Sequence, residues 1–91
     1  MKRFHIYVSG SVQGVGFRYF VSELANELSL KGWVRNADTR VEIDVEGTDD
    51  ALAELIRRLQ SDRPSSSTVD KIKTDELAPA GFDRFKVETT I

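Results

Sequence analysis

The chain has 91 residues, with 13 basic and 15 acidic side chains and a net charge of −2. This length predicts one domain over residues 1–91, and the balanced charge argues against a nucleic-acid partner or a membrane surface, which usually need a basic face. Cysteine is absent, which excludes disulfides, thiolate nucleophiles and cysteine zinc sites. No apolar run reaches the length of a membrane span or signal-peptide core, so we expect a soluble, cytoplasmic protein, most simply a monomer.

The first third of the sequence predicts a strand, a loop and a helix. Apolar and polar residues alternate over residues 4–8, as is typical of a half-buried strand. Three glycines follow and indicate a loop, at Gly10, Gly14 and Gly16. Apolar residues then recur at helical spacing and predict one buried helix face, formed by Phe17, Val21, Leu24, Ala25 and Leu28.

The middle of the sequence predicts a hairpin and a second helix. A strand-like segment over residues 32–36 is close enough to pair with residues 41–46, where apolar and acidic residues alternate. Thr48 and the two aspartates after it have the composition of a helix start. The buried stripe of this helix is predicted to be Leu52, Leu55, Ile56 and Leu59.

The last third predicts a surface loop over residues 63–67, a strand around residues 69–77, a turn and a short final strand at residues 85–87. The element order is therefore βαββαβ with a short extra C-terminal strand. This order predicts an α+β, ferredoxin-like fold, in which two helices pack on one face of an antiparallel sheet.

The loop between the first strand and the first helix has the composition of a phosphate site. Its glycines allow successive N–H groups to turn inward together, and the N-terminus of a helix favours an anion. Arg18 closes the loop with a planar cation that can bind two phosphate oxygens at once. A plain strand-to-helix turn with a solvated arginine fits the same residues, so the spacing alone leaves both interpretations open.

Other residues limit the phosphate chemistry. There is no Walker-type lysine and no obvious carboxylate cluster for magnesium, and the only histidine, His5, is interpreted as a surface or packing residue. An enzyme without a nucleophile, a metal or a histidine acid needs a substrate whose leaving group departs readily. An acyl phosphate is one, because its carboxylate leaving group needs no proton at pH 7.

Catalysis would then consist of holding the phosphoryl group, neutralising its charge and placing one water in line with it. A carboxamide can hold such a water because it both donates and accepts hydrogen bonds. Asn36, at the end of the second predicted strand, is the candidate. Taken alone, an asparagine at this position is more often a simple turn residue.

Two segments resemble the signatures of the acylphosphatase family. Residues 8–18, Val-Ser-Gly-Ser-Val-Gln-Gly-Val-Gly-Phe-Arg, are similar to the family pattern Val-x-Gly-x-Val-Gln-Gly-Val-x-Phe/Tyr-Arg. Residues 32–36, Gly-Trp-Val-Arg-Asn, are similar to its second signature. The likeness covers nearly the whole chain in length and element order. It implies an enzyme that hydrolyses a small acyl phosphate to a carboxylate and inorganic phosphate, with no metal and no cofactor.

The resemblance also implies roles for individual residues. Arg18 would bind the phosphate and Asn36 would orient the attacking water. The backbone amides that line the phosphate cradle would be those of Gln13, Gly14, Val15, Gly16, Phe17 and Arg18.

One segment departs from the family pattern Asn-x-x-x-Gly-x-Val. Here Asn36 leads to Val41 without the glycine and with one residue fewer. A one-residue slip in strand register would turn side chains to the opposite face of the sheet, so the direction of Asn36 depends on this turn. We expect a tighter turn to absorb the shortening.

Two other functions fit parts of the sequence. An RNA-binding module has the same element order, but its aromatic motif belongs on the third strand, where this chain carries acidic residues instead. A regulatory domain could keep the anion-binding loop and lack turnover. Four aspartates that could be proposed as acid–base groups are interpreted as solvated: Asp38, Asp44, Asp49 and Asp50.

Overall fold

A computed structural model describes residues 1–88 of the chain. These residues form five strands and two helices in the predicted order: β1 (Lys2–Ser11), α1 (Phe17–Glu27), β2 (Lys31–Ala37), β3 (Arg40–Gly47), α2 (Asp49–Ser61), β4 (Thr68–Leu77) and β5 (Phe85–Val87). The predicted α+β, ferredoxin-like fold class is confirmed.

The five strands form one sheet in the order β4-β1-β3-β2-β5. β1 is antiparallel to both β3 and β4, and β2 is antiparallel to β3. The short extra strand β5 pairs with β2 in the parallel direction, which makes the whole sheet mixed. Since β4 and β5 lie at opposite edges, the chain between them has to cross the sheet.

The core lies between the two helices and one face of the sheet, here called the inner face. The apolar residues that predicted the strands and helix stripes converge there, each at most 3% exposed: Ile6, Val8, Phe17, Val21, Leu24, Ala25, Val34, Val41, Ile43, Val45, Leu52, Leu55 and Leu59. Complete burial of one such aliphatic or aromatic side chain contributes roughly 1.5–3 kcal/mol. Burial on the inner face therefore fixes which side chains of each strand are available at the surface.

The opposite, outer face of the sheet is not a free solvated surface, which corrects the interpretation of Asp44 as a solvated strand residue. Glu42, Asp44 and Glu46 are only 7%, 1% and 7% exposed. Nε and Nη2 of Arg3 donate to the two carboxylate oxygens of Asp44 at 2.7 and 2.9 Å. Burial disfavours the ionised carboxylate, but the hydrogen bonds from Arg3 and His5 outweigh it and hold the pKa of Asp44 below its ordinary value.

The segment that links β4 to β5 covers part of the outer face of the sheet. Its backbone N–H groups at Ala80, Gly81 and Phe82 donate to the Glu46 carboxylate at 2.8, 3.1 and 3.1 Å. The guanidinium carbon of Arg3 lies 5.6 Å from the centre of the Phe82 ring. The linking segment therefore covers Glu46 and the Arg3 side chain on the outer face, while Arg3, His5 and Arg35 contact the other two acidic residues of β3.

The other candidate acid–base residues match the sequence interpretation. Asp38, Asp49 and Asp50 are exposed. His5 has a side chain that is 14% exposed, with Nδ1 2.9 Å from Asp44 Oδ2 and Nε2 3.0 Å from Glu42 Oε1. It is a packing residue of the outer face. Neither helix in the described part of the chain is long and apolar enough to cross a membrane.

Candidate active site

The loop between β1 and α1 depends on two glycines with left-handed backbone conformations. Gly14 has a φ of 75° and Gly16 a φ of 77°. A Cβ added at either position would meet no atom within 4 Å, so space is not what requires glycine. The backbone conformation requires it, because residues with a side chain rarely adopt a positive φ. The two glycines let the loop curl tightly ahead of the helix.

The first turn of α1 is left without a side-chain cap. Gly16 is its N-cap residue, and no side chain within residues 1–88 caps it with a hydrogen bond. The first turn itself contains no acidic residue. The N-terminus of α2 differs, since Thr48 Oγ1 accepts from the Ala51 N–H at 3.2 Å. Uncapped N–H groups and the positive end of the helix dipole make the start of α1 suited to an external anion.

Arg18 adds a full positive charge to this end of the helix. It is half-buried, and its Nη1 donates to the backbone carbonyl of Glu88 at 3.1 Å. None of the acidic side chains in residues 1–88 forms an ion pair with it. Because a guanidinium has five N–H donors, most of them remain available to an anion.

Asn36 reaches the same region from β2. It pairs with Val41 of β3, and it lies on the inner face two residues after the core residue Val34. Its exposure is only 9%, and its Oδ1 is buried with no hydrogen-bond partner among residues 1–88. A buried acceptor without a donor is uncommon and costs about 1–3 kcal/mol. As far as the described residues go, Asn36 Oδ1 is therefore available to accept a hydrogen bond from a small molecule.

Most of the predicted site residues share one cavity of about 210 Å³. Its lining includes Gly14, Gly16, Phe17, Arg18 and Asn36 from the predicted set, together with Val12 and Tyr19. Tyr19 lies at the rim and is 64% exposed. In the sequence, only its position next to Arg18 indicated that it would lie near the cavity. Val15 does not line the cavity, because its side chain packs against the core.

Gln13 makes contacts that the sequence did not predict. Its Nε2 donates to the backbone carbonyls of Asp38 at 2.7 Å and Arg40 at 2.9 Å. Asp38 lies in the turn between β2 and β3 and Arg40 is the first residue of β3, so one side chain joins the glycine loop to the hairpin. No periodicity or local pattern indicates such a contact, since the partners lie 25 and 27 residues away in sequence.

The expected tighter turn after Asn36 is confirmed. Ala37 pairs with Arg40, which leaves only Asp38 and Thr39 between the strands. Asp38 takes the left-handed conformation, with a φ of 56°. Two-residue hairpins commonly need a positive φ at a central residue, and aspartate tolerates it better than most residues. The shortened connection therefore keeps Asn36 on the inner face.

The acylphosphatase family model matches residues 4–87. The chain belongs to the acylphosphatase family. It is 42% identical over 88 residues to an acylphosphatase from Methanospirillum hungatei, a match that covers 96% of this chain and 97% of that protein. The crystal structure of acylphosphatase from Bacillus subtilis has a TM-score of 0.93 and 40% identity, and covers 97% of this chain and 99% of that one.

Acylphosphatase-like sequence also occurs inside a larger protein. The carbamoyltransferase HypF2 of Cupriavidus necator is 50% identical over 76 residues, which are 84% of this chain and 9% of that protein. The full-length similarity is to proteins of this chain's own size. The resemblance stated from the two signatures is thus confirmed, and the chain is an enzyme with acylphosphatase activity.

Proposed function

We propose that the 210 Å³ cavity at the start of α1 is where an acyl phosphate is hydrolysed. Backbone N–H groups of the loop from Gln13 to Arg18 and the Arg18 guanidinium hold the phosphoryl oxygens. Asn36 holds the attacking water. The observation that carries the proposal concerns residues 1–88. Among them, Asn36 Oδ1 has no hydrogen-bond partner and Arg18 has no ion pair, and both line one cavity at the uncapped start of α1.

The charges favour a phosphoryl group over a neutral ligand. Arg18 and the helix dipole contribute positive potential, while no acidic side chain is among the described residues that line the cavity. Donors fixed in place before the substrate arrives stabilise the charge on the equatorial oxygens as the bond to the leaving group lengthens. The loop and Arg18 would therefore lower the barrier without forming a covalent bond.

Asn36 completes the arrangement through its acceptor. A water that donates one O–H to Asn36 Oδ1 can turn an oxygen lone pair toward phosphorus. The water oxygen then bonds to phosphorus, and the bond from phosphorus to the acyl oxygen breaks with its electron pair on the carboxylate. The water proton passes to solvent or phosphate, so no side chain has to act as an acid or a base.

Steady-state kinetics of Asn36→Ala on acetyl phosphate tests this assignment. We expect kcat to fall about 10²- to 10³-fold, the usual effect of removing one hydrogen-bonding group that positions the reacting atoms. Competitive inhibition by inorganic phosphate should persist, because the loop and Arg18 are intact. The free energy of unfolding should stay equal or rise, since the variant removes a buried acceptor that has no donor.

Asn26→Ala is the matched control, because Asn26 is an exposed asparagine on α1. It should keep the kinetic constants of the unmodified protein. Full activity in Asn36→Ala, or equal losses in both variants, would show that Asn36 does not position the water.

A further inference from the structure

A second cavity, of about 280 Å³, lies on the outer face of the sheet. It is lined by Tyr7, Ser9, Arg40, Lys71 and Lys73, here called the outer basic cavity. Strand register brings these residues together, because Tyr7 pairs with Lys73 and Ser9 with Lys71 across β1 and β4. Arg40, the first residue of β3, borders the cavity from the other side of β1.

The lining of the outer basic cavity is cationic. Three of its residues carry positive charge, two carry hydroxyl groups, and none is acidic. The nearest acid on β3, Glu42, is engaged elsewhere, with His5 at 3.0 Å and Arg35 at 3.8 Å. Lys73 has only a loose ion pair, at 4.0 Å from Asp75. The positive charge around this cavity is therefore largely uncompensated by neighbouring side chains.

Arg40 provides the most specific feature. Its Nε is buried and has no hydrogen-bond partner within residues 1–88. Its guanidinium carbon lies 4.8 Å from the centre of the Tyr7 ring, and Lys73 Nζ lies 5.6 Å from the same ring. Such cation–π contacts hold charged groups in place while leaving N–H donors unused. The buried Nε–H of Arg40, which has no acceptor within residues 1–88, lies beside the cations Lys71 and Lys73. This arrangement favours binding of an oxyanion.

We propose that the outer basic cavity binds a compact polyanion, namely a short chain of phosphates that is either free or part of a nucleotide. Its volume is slightly below the range of about 300–1,000 Å³ typical of pockets for larger small molecules. Tyr7 already contacts two cations, so its ring is poorly placed to stack on a nucleobase as single-stranded RNA binding requires. The site is independent of the proposed phosphoryl cavity, which is on the inner face.

Amide chemical-shift titration of the full chain with tripolyphosphate tests the proposal. The Arg18→Ala variant is used beside the unmodified protein, so that anion binding at the start of α1 is weakened in one of the two samples. In both proteins we expect saturable shifts at Ser9, Arg40, Lys71 and Lys73, with an affinity that falls as salt is raised. Shifts confined to residues 13–18, or no saturable shifts, would overturn the proposal.

A charge-matched pair of variants gives a second readout. Lys71→Gln with Lys73→Gln should weaken tripolyphosphate binding roughly four- to 25-fold, at about two- to fivefold for each exposed ionic contact. Lys31→Gln with Lys86→Gln removes two exposed lysines, one from β2 and one from β5, and should leave the affinity unchanged. Equal weakening in both would overturn the proposal by showing only a general charge effect.

Titrations with adenosine triphosphate and with a single-stranded oligouridine distinguish a free phosphate chain from a nucleotide and from RNA. Equal affinity for tripolyphosphate and adenosine triphosphate would support a site that contacts phosphates alone, and tighter binding of adenosine triphosphate would support a nucleotide site. Tighter binding of a single-stranded oligouridine than of either would overturn the proposal in favour of an RNA surface.

Discussion

Nε2 of Gln13 donates to the backbone carbonyl of Asp38 at 2.7 Å, and this contact joins the loop before α1 to the turn after β2. The loop carries the proposed phosphate donors, and Asn36 stands just before that turn. A second bond from the same Nε2 to the Arg40 carbonyl holds the other side of the turn. Gln13 therefore joins the two segments whose relative position would, in the proposed reaction, set the distance from the phosphate to the water.

Replacement of Gln13 by Ala should lower turnover more than substrate binding. Both hydrogen bonds to the turn are lost, so Asn36 is held less firmly, while the backbone donors and Arg18 remain. We expect kcat to fall about tenfold or more with KM changed by less than threefold, since small misplacement of a positioning group is costly. Steady-state kinetics on acetyl phosphate measures the split.

Gln60→Ala, on the exposed side of α2, is the control for loss of a glutamine. A Gln13→Ala enzyme with unchanged kcat would contradict the positioning role. If Gln13→Ala raised KM and left kcat unchanged, the Gln13 side chain would support the phosphate-binding loop and not the position of Asn36.

Replacement of Arg18 should remove binding and rate together. Among the described residues that line the cavity, Arg18 alone carries a full charge. For Arg18→Ala we expect kcat/KM to fall about 10³-fold, with loss of inhibition by inorganic phosphate. Arg18→Lys should recover little, because an ammonium cannot reproduce the planar fork of two N–H donors.

The control for Arg18 is Arg84→Ala, which removes an exposed arginine outside the cavity. Phosphate inhibition that survives intact in Arg18→Ala would place the anion away from this residue.

The ion pair between half-buried Arg3 and buried Asp44 should make stability depend on acid pH. The pKa of Asp44 is lowered in the folded protein from an ordinary value of 3.8, so ionised Asp44 stabilises the fold above that value. This stabilisation should be lost as the pH falls from about 3.8 through the lower folded pKa. At pH 7, Asp44→Asn should reduce the free energy of unfolding by about 1.5–3 kcal/mol, the usual contribution of a hydrogen bond to a charged group.

Urea unfolding at several pH values between 2 and 7 measures both effects. Asp44→Asn should be less stable at pH 7 and should show a flatter decline below pH 4 than the unmodified protein. The exposed Asp83→Asn variant should follow the unmodified curve. Identical pH profiles for Asp44→Asn and the unmodified protein would rule out this origin of acid sensitivity.

Removal of divalent metals should leave turnover intact. The described residues that line the cavity offer no carboxylate or imidazole, which are the usual protein ligands of magnesium and zinc. We expect kcat on acetyl phosphate to change by less than twofold after dialysis against a chelator. Loss of activity with EDTA that is restored by added magnesium would contradict the absence of a metal from the reaction.

Local sequence patterns predicted the parts of the fold that depend on interactions between residues close together in sequence. The alternation of Ile6 and Val8 with polar neighbours identified an inward-facing strand, and Thr48 marked a helix start whose cap is present. The same alternation placed Asp44 on the outer face but could not show what covers that face. Arg3 and His5 bind Asp44 there. Residues 80–82, more than 30 positions away, cover its neighbour Glu46.

The candidate site divides in the same way. Arg18 and the glycines follow one another in sequence, so a loop at a helix start could be predicted directly. The approach of Asn36 depends on the pairing of β2 with β3 and on contacts of Gln13. Carboxamide chemistry named Asn36 as a candidate, but only the family resemblance favoured it over a simple turn residue. The roles of these residues, the monomeric state and the cytoplasmic location stay predictions.

A crystal structure of the protein with inorganic phosphate, the product of the proposed reaction, tests most directly whether the start of α1 holds the phosphoryl group. We expect the ion at the N-terminus of α1, within hydrogen-bond distance of the loop N–H groups and the Arg18 guanidinium, with a water on Asn36 Oδ1. An ion found only elsewhere, with the cavity at Arg18 empty, would contradict it.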